Sequence, residues 1–256
     1  MAQARGNFHW YELVTPDPSG AGAFYSKVVG WGLQDVGQGM PYTLLQVDGK
    51  GVAGIAPMPD GERAGIARPG WLGYVAVDHV DGFAIKVRDA GGKVLSEPMD
   101  IPGILRFATV TDPQGAVFIL YKGFAAEGPP TGGPDDAGFF GWRELWAGDG
   151  AKAFDFYSGL FGWTKAEAVD MGPMGTYQTF AADGETIGAV MTKPPNVPAP
   201  VWNYYIQVDS IGGAAERVKA AGGTVLMGPQ AVPNGSWIIQ GLDPQGVAFC
   251  LLSSKA

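Results

Sequence analysis

Two glutamates stand where a carboxylate could act. Glu12 closes one W-x-E motif (Trp10–Glu12) and Glu144 closes another (Trp142–Glu144). Side chains two apart on a strand share a face, so each carboxylate lies beside an indole ring. A carboxylate so placed is desolvated, the setting of a general acid or base, or of an acceptor that orients a bound molecule. The structural alternative is that each Glu satisfies nearby backbone, Tyr or Trp donors, or reaches the surface. Other reactive side chains are sparse: two histidines, His9 and His79, and one cysteine, Cys250. Neither histidine is placed to activate Cys250, and a buried free Cys is most often a small hydrophobe. Glycine-rich stretches such as Gly20–Gly22 lack the strand-then-GxGxxG or GK[ST] context of a nucleotide site.

The two motifs belong to a duplication. Phe8, Trp10, Glu12, Leu13, Tyr25, Ser26, Gly30 and Trp31 recur as Phe140, Trp142, Glu144, Leu145, Tyr157, Ser158, Gly162 and Trp163, each 132 positions later (144 − 12). Trp71 and Tyr74 recur as Trp202 and Tyr205, and the DPQG of Asp112–Gly115 recurs at Asp243–Gly246, 131 apart (243 − 112). This predicts a first domain over 1–122, a Gly/Pro-rich linker over 123–138 and a second domain over 139–256.

Each half holds two similar modules, 8–58 and 71–122, then 140–192 and 202–253. The first begins with a strand of aromatic and β-branched residues. A helix follows, with Asp17 as N-cap and Phe24, Tyr25 and Val28 on one face. Asp48-Gly49 is a hairpin signal. In the second module a helix over 81–90 ends on Gly91-Gly92, and the DPQG turn joins the last two strands. Every module reads β-α-β-β-β, which makes the chain α+β with four such units.

Composition excludes several classes. Apolar residues make up 46% and charged ones 16%, as in a globular protein. The net charge of −8, without a basic stripe, argues against nucleic acid. A single cysteine suits a reducing compartment. No signal peptide or membrane-spanning run is evident, so a cytoplasmic protein without membrane partners is expected.

The ordered motifs resemble the vicinal oxygen chelate superfamily of glyoxalases, bleomycin-resistance proteins and extradiol dioxygenases. They are the strand, then Asp17, a helix ending Phe24-Tyr25 and Gly30-Trp31, then V-x-V-D (Val75–Asp78), a helix ending in GG, and DPxG before the last strand. The likeness is to two-domain glyoxalase-like proteins and covers nearly the whole chain. It implies curled mixed sheets forming two cups. It leaves open whether modules pair within each half or across halves.

The resemblance also implies metal-ligand positions on the first and last strands of a module. Carried over one by one, they fall on Trp10, Trp142, Trp71, Trp202, Ile119 and Cys250. None is the His, Gln or Glu such a site uses. The expectation is therefore no cofactor, with a divalent metal only through non-standard ligands.

Trp10, Trp71, Tyr121, Trp142, Trp202, Tyr204 and Trp237 are expected either to line a cup for a flat apolar ligand or to fill the core. Pairing Ala108 with Ile119 places Arg106 in the first cup, to meet an anionic or carbonyl oxygen or Glu12, the alternative being that it reaches solvent near a strand end; Trp237 replaces it in the second copy. Three readings follow: a metal-free binder of a small apolar or aromatic molecule, a lyase- or isomerase-type enzyme using Glu12 or Glu144, or a structural protein with filled cups. A monomer or weak dimer is expected in each case.

Overall fold

Local chemistry builds each module in the same way. The computed structural model describes residues 6–36, 41–59, 68–125, 128–133 and 135–256. The first module is β1 (Phe8–Thr15), α1 (Pro18–Val29), β2 (Gly32–Asp35), β3 (Thr43–Val47) and β4 (Lys50–Pro57). The second is β5 (Gly70–Ala76), α2 (Val80–Asp89), β6 (Lys93–Ile101), β7 (Leu105–Thr111) and β8 (Val117–Gly123). The third is β9 (Phe140–Ala147), α3 (Gly150–Phe161), β10 (Thr164–Asp170), β11 (Thr176–Ala182) and β12 (Glu185–Thr192). The fourth is β13 (Val201–Gln207), α4 (Ile211–Ala220), β14 (Thr224–Ala231), β15 (Trp237–Leu242) and β16 (Ala248–Ser253).

Side-chain caps start the helices. Asp17 accepts from Gly20 N and Asp149 from Lys152 N, while His79 caps α2 and Ser210 caps α4. Gly30 and Gly162 end α1 and α3 in the left-handed conformation, at φ 92° and 76°. The β3–β4 hairpin turns through Asp48-Gly49 and the β11–β12 hairpin through Asp183-Gly184, with φ positive at all four residues.

The strands form two eight-stranded sheets. Their orders are β2-β3-β4-β1-β5-β8-β7-β6 and β10-β11-β12-β9-β13-β16-β15-β14. The sheets are mixed: β1 runs parallel to β4 and β5 parallel to β8, while the hairpins are antiparallel.

Compact packing follows a different division. One unit comprises the chain up to Trp10, Leu72–Gly128 and Arg143–Asn203. The other comprises Tyr11–Trp71, Pro129–Trp142 and Tyr204–Ala256. The first unit thus holds the second and third modules, and the second unit holds the first and fourth. Both pairings left open by the sequence occur, one in the sheets and one in the packing.

Each unit has an aromatic core under its helices. In the first, Phe83 of α2 stacks near Phe161 of α3, and Trp163 stacks on Phe180 at 4.2 Å. In the second, Phe24 and Tyr25 of α1 pack on Phe249 of β16. The duplicated tryptophans tie down chain segments. Trp163 Nε1 donates to Gly6 O at 2.7 Å in the first unit. Trp31 Nε1 donates to Gly138 O at 2.8 Å in the second. Gln207, 3% exposed, donates to the carbonyls of Gly133 and Asp136, two residues of the joining segment. Among the described residues, no helix is long and apolar enough to cross a membrane.

Candidate functional site

The third module gathers a polar group on its helix-free face. On β9, alternation turns Leu145 and Ala147 toward α3, both 0% exposed, and turns Glu144 and Trp146 the other way. Glu144 is 8% exposed. Its Oε1 accepts from Trp146 Nε1, and its Oε2 accepts from Tyr177 Oη at 2.9 Å. A carboxylate with two donors is fixed in orientation, and these donors supply part of what burial takes from water. In register, Glu144 sits beside Ala189 of β12, which sits beside Thr179 of β11. The face therefore offers an oriented carboxylate, a phenol and an indole.

Tyr177 was not among the residues that the sequence singled out. A signal for it exists. Tyr177 lies six residues before Asp183 of the β11–β12 turn (183 − 177), and Tyr42 lies six before Asp48 of the β3–β4 turn (48 − 42). Tyrosine before the hairpin thus repeats together with W-x-E. In the first module Glu12 stands in register with Gly54. A Cβ added at Gly54 would lie 2.0 Å from the Tyr42 hydroxyl. The phenol accordingly occupies the space that a side chain at position 54 would take.

The register of β7 and β8 corrects the expectation for Arg106. Thr109, not Ala108, pairs with Ile119, and Ala108 pairs with Leu120. Arg106 therefore leaves the face of Ile119. It makes two hydrogen bonds to Asp81 of α2, both at 2.7 Å, and one to Asp100 at 2.8 Å. The hydrogen bond from Arg106 holds the Asp81 carboxyl below its ordinary range. What shares the face of Ile119 is apolar: Tyr74, Ala76 and Tyr121, with Trp10, Leu72, Leu105 and Phe107 packed against them. The corresponding face of the fourth module is more polar. Tyr205 and Gln240 both pair with Cys250, and Gln240 Nε2 donates to Tyr205 Oη at 2.9 Å. The sequence suggested the opposite contrast, with the polar floor in the first copy.

Trp71 and Trp202 lie deeper, each at one end of a buried relay. In the second unit, Trp71 Nε1 donates to Tyr25 Oη at 3.2 Å, and Tyr25 donates to Asp243 at 3.3 Å. In the first unit, Trp202 donates to Tyr157 at 3.0 Å, and Tyr157 donates to Asp112 at 3.3 Å. These aspartates open the two DPQG turns and also accept two backbone N–H bonds each. Burial raises the carboxyls of Asp112 and Asp243 above their usual values and pushes Tyr25 well up. Trp71 and Trp202 are 9% and 4% exposed. Tyr204, also buried, meets Tyr11 edge-on at 5.2 Å. Trp142 and Trp237 are half-buried, the latter at the start of β15 beside Ser253.

Among the described residues, no group of three or more His, Cys, Asp or Glu side chains is placed to hold a metal ion. Tyr74 and Ile119 are register partners at the centre of the second module.

Comparison with known proteins gives a consistent picture. A family model described as "Glyoxalase/Bleomycin resistance protein/Dioxygenase superfamily" matches residues 7–120 and 140–251. The chain is 33% identical over 252 residues to the "Putative glyoxylase CFP32" of Mycobacterium tuberculosis (strain CDC 1551 / Oshkosh), covering 97% of this chain and 95% of that protein. It is 30% identical over 263 residues to the "Anthracycline biosynthesis protein DnrV" of Streptomyces peucetius, covering 96% and 92%. Among solved structures, the Mn(II)-bound glyoxalase of Novosphingobium aromaticivorans matches with a TM-score of 0.69 at 19% identity, over 99% of this chain and 83% of that one. At that identity the likeness is one of fold.

Proposed function

The chain belongs to the glyoxalase/bleomycin resistance/dioxygenase superfamily, and we propose that it binds a small aromatic molecule bearing a hydrogen-bond donor. The observation that carries this reading is Glu144, 8% exposed on a helix-free face and held between Tyr177 and Trp146. A flat ring lies against the aromatic side chains, and its donor meets the carboxylate. Both carboxylate oxygens already accept protein hydrogen bonds, which favours orienting a ligand over removing a proton from it. The relative named for anthracycline biosynthesis supports an aromatic ligand, since anthracyclines are fused-ring compounds. The reading calls for no metal.

A second reading, lyase- or isomerase-type catalysis with Glu144 as acid or base, draws on the relative named as a glyoxylase. One experiment separates the two. Calorimetric titration with phenolic ring compounds is run on the wild type, Glu144→Gln and Tyr177→Phe, beside a turnover screen of α-ketoaldehydes with thiols. Binding weakened roughly tenfold or more in Glu144→Gln, without turnover in any form, supports the binder. Turnover that disappears in Glu144→Gln supports the enzyme. Near-stoichiometric metal in the purified protein would overturn the metal-free reading.

A further inference from the structure

The two units differ where their paired helices meet. In the first unit a cavity of about 700 Å³ opens between α2 and α3. Phe156 and Leu160 of α3, both buried, form its floor. Lys86 and Asp89 of α2 and Lys152 and Asp155 of α3, all exposed, stand around it. That volume lies within the roughly 300–1,000 Å³ of small-molecule sites. In the second unit an arginine bridges the equivalent helices. Arg217 of α4, the counterpart of Lys86 131 positions later (217 − 86), donates through Nε to Val28 O of α1 at 2.9 Å and pairs with Asp209 at 2.6 Å. Phe24, the counterpart of Phe156, lies so near Gly223 that a Cβ there would meet its ring at 2.7 Å. Lys86 instead lies with Nζ over the Phe83 ring of its own helix, 4.6 Å from the centroid.

The charges follow the opening. Asp89, Lys152 and Asp155 have Ala220, Gly20 and Ala23 at the matching positions of the second unit. Helix formation does not require them, since α1 and α4 form without them. Two ammonium groups and two carboxylates above an apolar floor complement a molecule that carries both signs and an apolar body. We infer that this groove binds a free amino acid with an apolar side chain, at a site separate from the helix-free face of Glu144. The ligand's ammonium meets Asp89 and Asp155, its carboxylate meets Lys86 and Lys152, and its side chain lies on Phe156 and Leu160. Lys152 pairs with Asp149 of its own helix end at 3.2 Å, an exposed contact that a ligand carboxylate can replace at little cost.

The test titrates the full chain, labelled with nitrogen-15, and follows the backbone amide signals of Ala90 and Gly159, which line the groove. The probes are L-phenylalanine, phenethylamine, which lacks the carboxylate, and 3-phenylpropionate, which lacks the ammonium. The expected result is that L-phenylalanine shifts both signals at concentrations roughly two- to fivefold lower than either analogue, the range for losing exposed ion pairs. Lys86→Arg keeps the charge and imports the residue that bridges the helices of the second unit, with Asp78 at the position of Asp209 (209 − 131). It should abolish the shifts. Asp89→Ala and Asp155→Ala import the other two residues of the second unit at exposed helical positions. Each should weaken L-phenylalanine roughly two- to fivefold, and they keep the test open if Lys86→Arg folds poorly. An analogue that binds as tightly as L-phenylalanine overturns the double-charge recognition. Shifts unchanged in Lys86→Arg and in both alanine variants, or no shift with any probe, overturn the site.

Discussion

Replacing Tyr25 by Phe should be costly although the ring is kept. Tyr25 is 0% exposed, and its ring contacts Phe24, Trp71 and Phe249 within the second unit. Phe preserves that packing and removes only the hydroxyl. Two hydrogen bonds go with it, from Trp71 Nε1 at 3.2 Å and to Asp243 Oδ2 at 3.3 Å. A bond to a carboxylate is worth about 1.5–3 kcal/mol, and this long one belongs at the low end. The Trp71 N–H loses that acceptor in the interior, which costs about 1–3 kcal/mol. The sum, less the hydroxyl's own desolvation, comes to about 2–4 kcal/mol. That is a large share of the roughly 5–15 kcal/mol by which folded proteins are stable.

Urea unfolding of the single and double variants measures it. Trp71→Phe removes the same donor, so the double variant Trp71→Phe/Tyr25→Phe should cost less than the two singles together, by about 1 kcal/mol. The loss should also depend on pH. Tyr25 donates to the ionised form of Asp243 and so lowers a carboxyl that burial raises. Without that donor the carboxyl rises further, so Tyr25→Phe should cost more at pH 7 than at pH 3. A cost below about 0.5 kcal/mol, strict additivity in the double variant, or equal cost at both pH values would refute the relay as an energetic unit.

Three further outcomes are expected. Asp112 is 1% exposed and its carboxyl is raised by burial, so the folded chain binds more protons than the unfolded one. Its contribution to stability therefore falls as pH rises from the unfolded value of about 3.9 through the raised folded value, and Asp112→Asn should flatten that part of a stability–pH profile. Trp163→Phe removes the bond to Gly6 O and part of a side chain that is 1% exposed; thermal melting should report a loss of about 2–3 kcal/mol. Arg106→Ala should leave affinity for phenolic ligands unchanged in calorimetry, because the guanidinium is engaged by Asp81 and Asp100; a clear loss would return Arg106 to the ligand face.

Much of the fold was legible because its signals are local. Asp17 and Asp149 cap their helices as short-range hydrogen bonding dictates, and glycines end α1 and α3 where the backbone turns left-handed. The repeat fixed four like modules, since like sequences meet like local rules. W-x-E located Glu144, because alternation along a strand is a property of the strand alone.

The rest depended on partners distant in sequence. One residue of register decides the face of a side chain, so the β7–β8 alignment moved Arg106 from Ile119 to Asp81. Trp71 reads as a ligand position by counting along the chain, yet it bonds Tyr25, whose own partner Asp243 lies 218 residues from it. Nothing local announces that relay, because its energy exists only once the first and fourth modules pack together. The sequence by itself determined the four modules, the Asp17 cap and the strand face on which Glu144 stands. The tertiary structure alone decided which aromatic rings are core, which tyrosine holds Glu144, and that Gly54 makes room for Tyr42, since each is a matter of distance between strands rather than spacing within one.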